Sequence, residues 1–261
     1  LSSFDTSNVI DMTYMFNDCV ELIDLNLSTF KTQKVKNMSH MFSNCIHLNY
    51  LNLSSFDVHE VLDMEKMFAE CSSLSSLNIS SFGESKVKTI ESMFSGCSLL
   101  TSIDLPKFHT PELLNMHKSF YKCFSLSAVN ISSLNTNKVK NMDYMFYDCW
   151  LLTSLDLSNF KTNSLLNISY MLYDCPLLSN LIIYTFNTSE VLDMSYLFYG
   201  CTSLISLSLT NFNTQKVKSM EKMFYNCYNL KNLDLSSFKT ESVKTMEKMF
   251  YYCSSLNNLD L

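Results

Sequence analysis

Ten cysteines recur at a fixed interval of 26 residues and divide the chain into ten copies of one unit, with no insertion or deletion between them. They stand at Cys19, Cys45, Cys71, Cys97, Cys123, Cys149, Cys175, Cys201, Cys227 and Cys253. A fixed period of this length is typical of solenoids, in which each unit packs mainly on its neighbours and the core runs along the stack. A residue that one unit presents to solvent is therefore presented by the array as a row.

Leucines alternate with polar residues at the end of each unit, as in Leu25-Asn26-Leu27 and Leu51-Asn52-Leu53. Alternation with period 2 predicts a short strand with the leucines inward and the polar residues outward. One strand per unit, always in the same direction, predicts a parallel sheet on one face of the molecule. Counting Leu1 as position 1, the outward strand residues stand at positions 24 and 26 of each unit.

The middle of each unit predicts a short helix that begins at position 12. Position 11 holds Asp, Asn, Ser or Thr in every copy, and these residues accept otherwise unpaired amide hydrogens at helix starts. Apolar residues follow at helical spacing, as in Met12, Met15, Phe16 and Cys19. We therefore expect an α/β repeat, with a parallel sheet on one face and helices of at most two turns on the other.

The pattern MF..C..L..L.LS.F.T..V..M resembles the BspA-like leucine-rich-repeat proteins, particularly the variant common in mycoplasma surface lipoproteins. The resemblance covers the whole chain, and Phe, Cys and Leu recur at fixed offsets throughout. It implies a leucine-rich-repeat solenoid displayed at a cell surface, with an adhesive or host-binding role. It supplies no ligand.

The cysteine pattern is compatible with four roles: disulfide bonds, metal ligands, a catalytic nucleophile or core residues. An even cysteine number permits disulfides, and neighbouring strands lie close enough for some pairs. All ten would point the same way into the core, however, which favours buried free thiols that pack as small apolar side chains. No Cys-x-x-Cys pair is present for zinc, and ten equivalent surroundings are unlike a single catalytic constellation. We expect no metal, no cofactor and no enzymatic activity.

Composition narrows the partners further. The net charge is −6, and all 19 basic residues are lysines, whereas nucleic-acid binding usually depends on arginine and a basic face. No apolar run approaches the roughly 20 residues of a membrane span. The uninterrupted repeat predicts a single domain over residues 1–261. Neither end carries a polar cap of the kind solenoids need, so we expect an excerpt from a longer array.

Two rows of side chains are candidate interaction surfaces. The first is position 17, which holds Asn, Ser, Ala and Ser in the first four units and tyrosine in the last six: Tyr121, Tyr147, Tyr173, Tyr199, Tyr225 and Tyr251. The second is the outward strand row at position 26, including Asn52, Asn78, Asp104, Asn130, Asp156 and Asp234. Tyrosine gives a large, rigid contact area at low entropic cost. The tyrosines are equally consistent with packing between neighbouring units, and the strand row with simple solvation of the sheet.

A lysine row at positions 8 and 10 is expected to be a solvated face, since Glu60, Glu112 and Glu190 interrupt it. The function predicted from the sequence is an extracellular or cell-surface interaction protein that binds a protein or glycan, or associates with itself. The alternative is a structural subunit, because head-to-tail contacts between regular units can build an open filament or coat.

Overall fold

The computed structural model describes Leu1 and residues 3–260. Ser2 and Leu261, the second and last residues of the predicted 1–261 domain, lie outside the described residues. Within this part of the chain there are nine three-residue strands. They are β1 Tyr50–Asn52, β2 Ser76–Asn78, β3 Ser102–Asp104, β4 Ala128–Asn130, β5 Ser154–Asp156, β6 Asn180–Ile182, β7 Ser206–Ser208, β8 Asn232–Asp234 and β9 Asn258–Asp260.

The strands occupy positions 24–26 of successive units and pair in parallel within three two-stranded sheets and one three-stranded sheet, β1-β2, β3-β4, β5-β6 and β7-β8-β9, in the register set by the repeat. Leu51 is opposite Leu77, Leu155 is opposite Leu181, and Leu207 is opposite Leu233. The central leucine points inward, and Leu51 is fully buried while its neighbours Tyr50 and Asn52 are exposed. The predicted parallel leucine-rich-repeat solenoid is confirmed, whereas the division into ten units remains a count made on the sequence.

The predicted helices are wrong: no α-helix occurs among the described residues. The segment from position 12 to position 19 is a chain of tight turns instead. Within it, the amides of Met15 and Cys19 bond back three residues, at 3.2 Å, to the carbonyls of Met12 and Phe16. The alternate amides leave the unit, and the Phe16 N–H donates to the Met41 carbonyl of the next unit at 2.8 Å.

Backbone conformation and geometry both explain why turns replace the helix. Positions 14 and 18 have left-handed backbone, with φ of 58° at Tyr14 and 57° at Asp18, and this conformation ends an α-helix. An α-helix with its side chains is about 10 Å wide, whereas parallel strands are spaced by about 4.8 Å. Turns keep the rise of the two faces similar, so each unit can bond to the next on both sides. The apolar spacing of positions 12, 15, 16 and 19 suits either structure, and all four still point inward in most units.

Position 11 has the predicted capping chemistry without the helix. Asp11 Oδ1 accepts the Thr13 N–H at 2.8 Å, and Asn37 Oδ1 accepts the Ser39 N–H at 2.8 Å, two residues on. This geometry is an Asx turn, which the same residue types favour. The residues at this position also pair in parallel with their equivalents in the next unit, from Asp11 and Asn37 through to Ser219 and Thr245. They form a second backbone ladder in addition to the strand pairs.

The cysteines occupy the core position that the repeat predicted. Those from Cys45 to Cys227 are fully buried. Each thiol lies close to a backbone carbonyl of the preceding unit, as Cys149 Sγ does at 3.2 Å from the Phe120 oxygen. Beside them the phenylalanines of position 16 stack from unit to unit, with the Phe120 and Phe146 ring centroids 5.1 Å apart. Within the described residues, no helix is long and apolar enough to cross a membrane.

Candidate functional site

Nine tyrosines form two stacked columns on the outer side of the turn segment, and we call this surface the tyrosine face. One column holds the position-17 residues Tyr121, Tyr147, Tyr173, Tyr199, Tyr225 and Tyr251; the other holds the position-14 residues Tyr144, Tyr170 and Tyr196. In the longer column, ring centroids lie 4.4 Å apart for Tyr147–Tyr173 and for Tyr173–Tyr199, with planes within 6° of parallel. In the shorter column, Tyr144–Tyr170 and Tyr170–Tyr196 are 4.5 and 4.4 Å apart.

The fold places these rings because the 26-residue register puts identical positions one above the other. Tyr170 and Tyr173 of the same unit also meet, with centroids 5.8 Å apart, so the columns form one surface. The rings are half-buried, except for the exposed Tyr251. Within each column the ring faces are therefore occupied by neighbouring rings. The surface that remains for a ligand consists mainly of ring edges and hydroxyl groups.

Four tyrosines of the face resist ionisation because they are half-buried. Burial, followed by the neighbouring phenols, raises the pKa of Tyr170 and of Tyr173 well above the ordinary value. Burial also raises the pKa of Tyr144 and Tyr147. These four residues consequently present neutral hydroxyls that can form hydrogen bonds.

Lysines border the tyrosine face at both ends. Lys118 Nζ lies 5.4 Å from the Tyr121 ring centroid and 5.3 Å from that of Tyr144. At the other end, Lys222 Nζ lies 4.9 Å from the Tyr196 ring centroid and donates to its hydroxyl at 2.7 Å. That hydroxyl donates in turn to Glu221 at 2.7 Å. Cation–π contacts and charge-assisted bonds therefore fix the outer rings in place.

The fold does not require tyrosine at these positions. Asn17, Ser43, Ala69 and Ser95 occupy position 17 of the first four units, where the same turns and cross-unit hydrogen bonds form. Position 17 is thus structurally permissive, and its six consecutive tyrosines are a property of the second half of the chain.

The strand row at position 26 is occupied by local turn contacts. Asn52, Asn78, Asn130, Asp156 and Asp234 each accept, through Oδ1, the N–H of the serine two residues later, at 2.8–3.4 Å. Asp104 is followed at that point by Pro106, which has no N–H, and accepts instead from Asn130 Nδ2 at 2.7 Å. The row closes the turn after each strand, and it lies apart from the tyrosine face along the sequence of every unit.

The lysine row is more organised than a solvated face. Lys86, Lys138 and Lys216 each pair with the glutamate at the same position of the preceding unit, at 2.6, 2.8 and 2.6 Å. The glutamates that interrupt the row in sequence are therefore its ion-pair partners. Since the pairs are exposed, each contributes little to stability.

The structure brings together other side chains that the sequence analysis did not single out. Trp150, the single tryptophan, is 45% exposed and packs on Phe124 with ring centroids 4.3 Å apart. Asp148 lies beside Trp150, and Asp174, at the same position of the adjacent unit, is close enough for the two charges to interact. Position-by-position comparison of the units would have revealed them, because their neighbours at positions 20 and 21 are polar in most other units. In the described part of the chain, no group of His, Cys, Asp and Glu is arranged to hold a metal ion.

Comparison with known proteins agrees with the repeat. The sequence profile of the family described as "Mycoplasma protein of unknown function, DUF285" matches residues 1–103, 100–182 and 178–260. No curated protein matches the chain. Among solved structures, a leucine-rich repeat protein from Bacteroides ovatus is similar over 97% of this chain, with a TM-score of 0.57 and 22% identity. The chain covers 64% of the length of that protein.

Two further solved structures are similar at lower scores. A leucine-rich cell surface protein from Faecalibacterium prausnitzii is 16% identical over 88% of this chain and 77% of its own, with a TM-score of 0.35. A leucine-rich repeat protein from T. pallidum is 18% identical over 78% of this chain and 75% of its own, with a TM-score of 0.41. Because the TM-scores of these two structures are below 0.5, the structural support for the fold comes from the similarity to the Bacteroides ovatus protein.

Proposed function

Since the chain belongs to the DUF285 family of mycoplasma proteins, within the BspA-like leucine-rich-repeat group, we propose that it is a non-enzymatic interaction scaffold at the cell surface. The proposed activity is adhesion, through binding of a protein or glycan partner on the tyrosine face. The observation that carries this proposal is the run of stacked tyrosines at a position where the first four units fold with Asn, Ser, Ala and Ser.

The stacking favours one mode of binding over another. A sugar that packs flat on an aromatic ring needs a free ring face, and the faces inside the columns are covered by rings about one strand spacing away. A ligand that hydrogen-bonds to a row of hydroxyls and contacts ring edges fits this surface. A protein segment satisfies that description, as does a glycan bound through its own hydroxyls.

The test uses three tyrosines from the middle of the face. Tyr173→Phe, Tyr199→Phe and Tyr225→Phe together remove the hydroxyls and preserve the stack. The purified chain is assayed for saturable binding to immobilised matrix glycoproteins, heparin and a panel of glycans. We expect the Phe variant to lose binding of the ligand that the parent chain binds, because the tyrosine hydroxyls form the recognising hydrogen bonds.

The matched control changes the strand row. The control variant carries Asn52→Ser, Asn78→Ser and Asn130→Ser. Serine is accepted at this position, since Ser208 occupies position 26 of another unit, and ligand binding should be unchanged. Equal loss in both variants, or loss only in the strand-row variant, would contradict the tyrosine face as the binding surface. Electron microscopy of the same preparation tests the structural alternative, which predicts filaments in place of separate particles.

A further inference from the structure

A second exposed surface lies beside the tyrosine face, in units 4 to 7. Its apolar part consists of Leu99, Phe124, Trp150, Leu151, Pro176 and Leu177. Leu99 is 51% exposed, Leu151 is 46% exposed and Leu177 is 45% exposed. Together with Asp148 and Asp174, we call this surface the acidic–apolar patch.

The fold does not need apolar residues here. The leucines stand at position 21, where the other seven units carry Glu21, His47, Ser73, Ser125, Ser203, Asn229 and Ser255. Position 20, the site of Phe124, Trp150 and Pro176, is polar in four of the other units and holds Val20, Ile46 and Tyr228 in the remaining three. The turn therefore forms with polar side chains at position 21, and a cluster of large, partly exposed apolar side chains there lowers solubility. Such clusters mark interaction sites on soluble proteins.

Two carboxylates sit in this apolar setting. Burial, and next the charge of Asp174, raises the pKa of Asp148, against weaker lowering by Trp150 and Lys122. Burial also raises the pKa of Asp174, whose Oδ1 lies against the Gly200 backbone, 2.6 Å from where a Cβ would stand. Within the described part of the chain, neither carboxylate has a lysine or histidine nitrogen within ion-pair distance.

We propose that the acidic–apolar patch docks a basic, apolar segment of a protein partner. A lysine or arginine of that segment lies between Asp148 and Asp174, and its apolar side chains cover Trp150, Leu151 and Leu177. An exposed Trp with flanking leucines has the composition of an interface centre, where a few aromatic anchors carry most of the binding energy.

Charge decides which partner fits. Two adjacent, partly desolvated carboxylates repel each other, and a cation between them removes that repulsion while the apolar contacts exclude water. An acidic segment would add a third negative charge to the same site, in a chain whose net charge is already −6. This docking goes beyond the proposed adhesion, because it uses side chains outside the tyrosine face and can succeed or fail independently of it.

Trp150 gives the experiment a local signal, since it is the only tryptophan in the chain. The probe is a short synthetic peptide in which arginine alternates with leucine; matched peptides carry glutamine or glutamate in place of arginine. Titration of the full chain with the arginine peptide should shift the tryptophan emission to shorter wavelength and saturate. The glutamate peptide should produce no shift, and the glutamine peptide should bind at least about tenfold more weakly.

Variants follow residues that the repeat already accepts. The double variant Asp148→Asn, Asp174→Asn introduces the residue type that Asn44 and Asn226 already have at this position of the unit. It should weaken binding of the arginine peptide by about tenfold. The double variant Leu151→Ser, Leu177→Ser introduces the residue type that Ser125 and Ser203 already have at this position of the unit. It should weaken binding of both the arginine and the glutamine peptides. Glu70→Gln changes the same position in unit 3, outside the patch, and should leave binding unchanged.

Several outcomes would overturn the proposal. The first is equal binding of the arginine and glutamate peptides. The second is unchanged binding of the arginine peptide by the double asparagine variant, and the third is an equally large loss of binding in Glu70→Gln. A Trp150 emission shift that depends on protein concentration without peptide would assign the patch to a second copy of the chain. A shift produced by glycans and not by peptides would assign it to sugar binding. Far-ultraviolet circular dichroism and melting of each variant confirm that it is folded.

Discussion

At the scale of single residues, the cysteines show how stacking turns a reactive group into a core residue. Burial raises the pKa of the Cys201 thiol to about 12, and its Sγ lies 3.2 Å from the Leu172 carbonyl of the preceding unit. A thiol that stays protonated and inaccessible is a poor nucleophile and a poor metal ligand. The residue that looks most reactive in the sequence therefore acts through packing.

The buried thiols make stability depend on pH in the alkaline range. In the unfolded chain a cysteine ionises near pH 8.5, whereas the Cys201 thiol stays protonated until about pH 12 in the folded chain. Its contribution is fully present below the unfolded pKa and is lost as pH rises toward the folded one. The free energy of unfolding of the parent chain should decrease between pH 8 and pH 10. We expect this decrease to be about 1–2 kcal/mol smaller in Cys201→Ala.

Urea unfolding at a series of pH values measures this effect. Cys19→Ala removes an exposed thiol at the same position of the first unit and is the matched control. A profile that Cys201→Ala does not alter would mean that the folded and unfolded thiols ionise alike.

At the scale of elements, the segment from position 12 to position 19 is decided by its neighbours. Its apolar spacing and its side-chain caps are those of a helix, but its alternate amides find carbonyl partners in the next unit, as Phe42 does with Met67 at 2.9 Å. A helix would bond these amides internally and would be too wide for the spacing of the strands. Chained turns are the element that satisfies both the backbone and the stack.

The tyrosine columns are both a surface and a packing element, and the two roles can be separated. Replacing Tyr173, Tyr199 and Tyr225 with serine removes four stacked contacts, between Tyr147–Tyr173, Tyr173–Tyr199, Tyr199–Tyr225 and Tyr225–Tyr251. At about 0.5–1.5 kcal/mol per aromatic pair, we expect a loss of about 2–6 kcal/mol in the free energy of unfolding. The triple Phe variant should lose less than about 1 kcal/mol, because the rings and their stacking remain.

Chemical denaturation of both variants beside the parent chain gives these numbers. Serine already stands at this position as Ser43 and Ser95, so the backbone tolerates it. A serine variant as stable as the parent would mean that the stacked rings contribute no stability and serve only as a surface.

At the scale of the whole molecule, the register of 26 residues is the main structural constraint. Strand pairs, bridge pairs, the tyrosine columns and the Lys–Glu pairs all join a residue to its equivalent in an adjacent unit. Because each unit contacts mainly its neighbours, stability is close to a sum of unit and interface contributions. The chain should therefore accept the loss of a whole unit far better than a shift of register.

Deletion of residues 131–156, one complete unit, should give a folded, shorter solenoid with a cooperative melt and slightly lower stability. Deletion of residues 131–155 shortens the chain by one residue less and breaks the alignment of every row at the junction, because each side chain then meets the wrong face. We expect that variant to melt at a lower temperature than the deletion of the complete unit. Circular dichroism and melting temperature distinguish the two. Equal stability of both deletions would contradict the dependence on register.

The sequence alone determined the period, the inward positions and the parallel sheet, because these follow from which residues are apolar and how often they recur. It also identified the tyrosine and Asn/Asp rows, and it placed the cysteines in the core. Only the tertiary structure decided that positions 12 to 19 form turns, since their hydrogen-bond partners, such as Met67 for Phe42, lie in another unit. It also decided that the tyrosine rings cover one another's faces, and that Asp148 lies beside Trp150 within range of the Asp174 charge. These features depend on what stacks above each residue, and a unit read by itself does not contain that information.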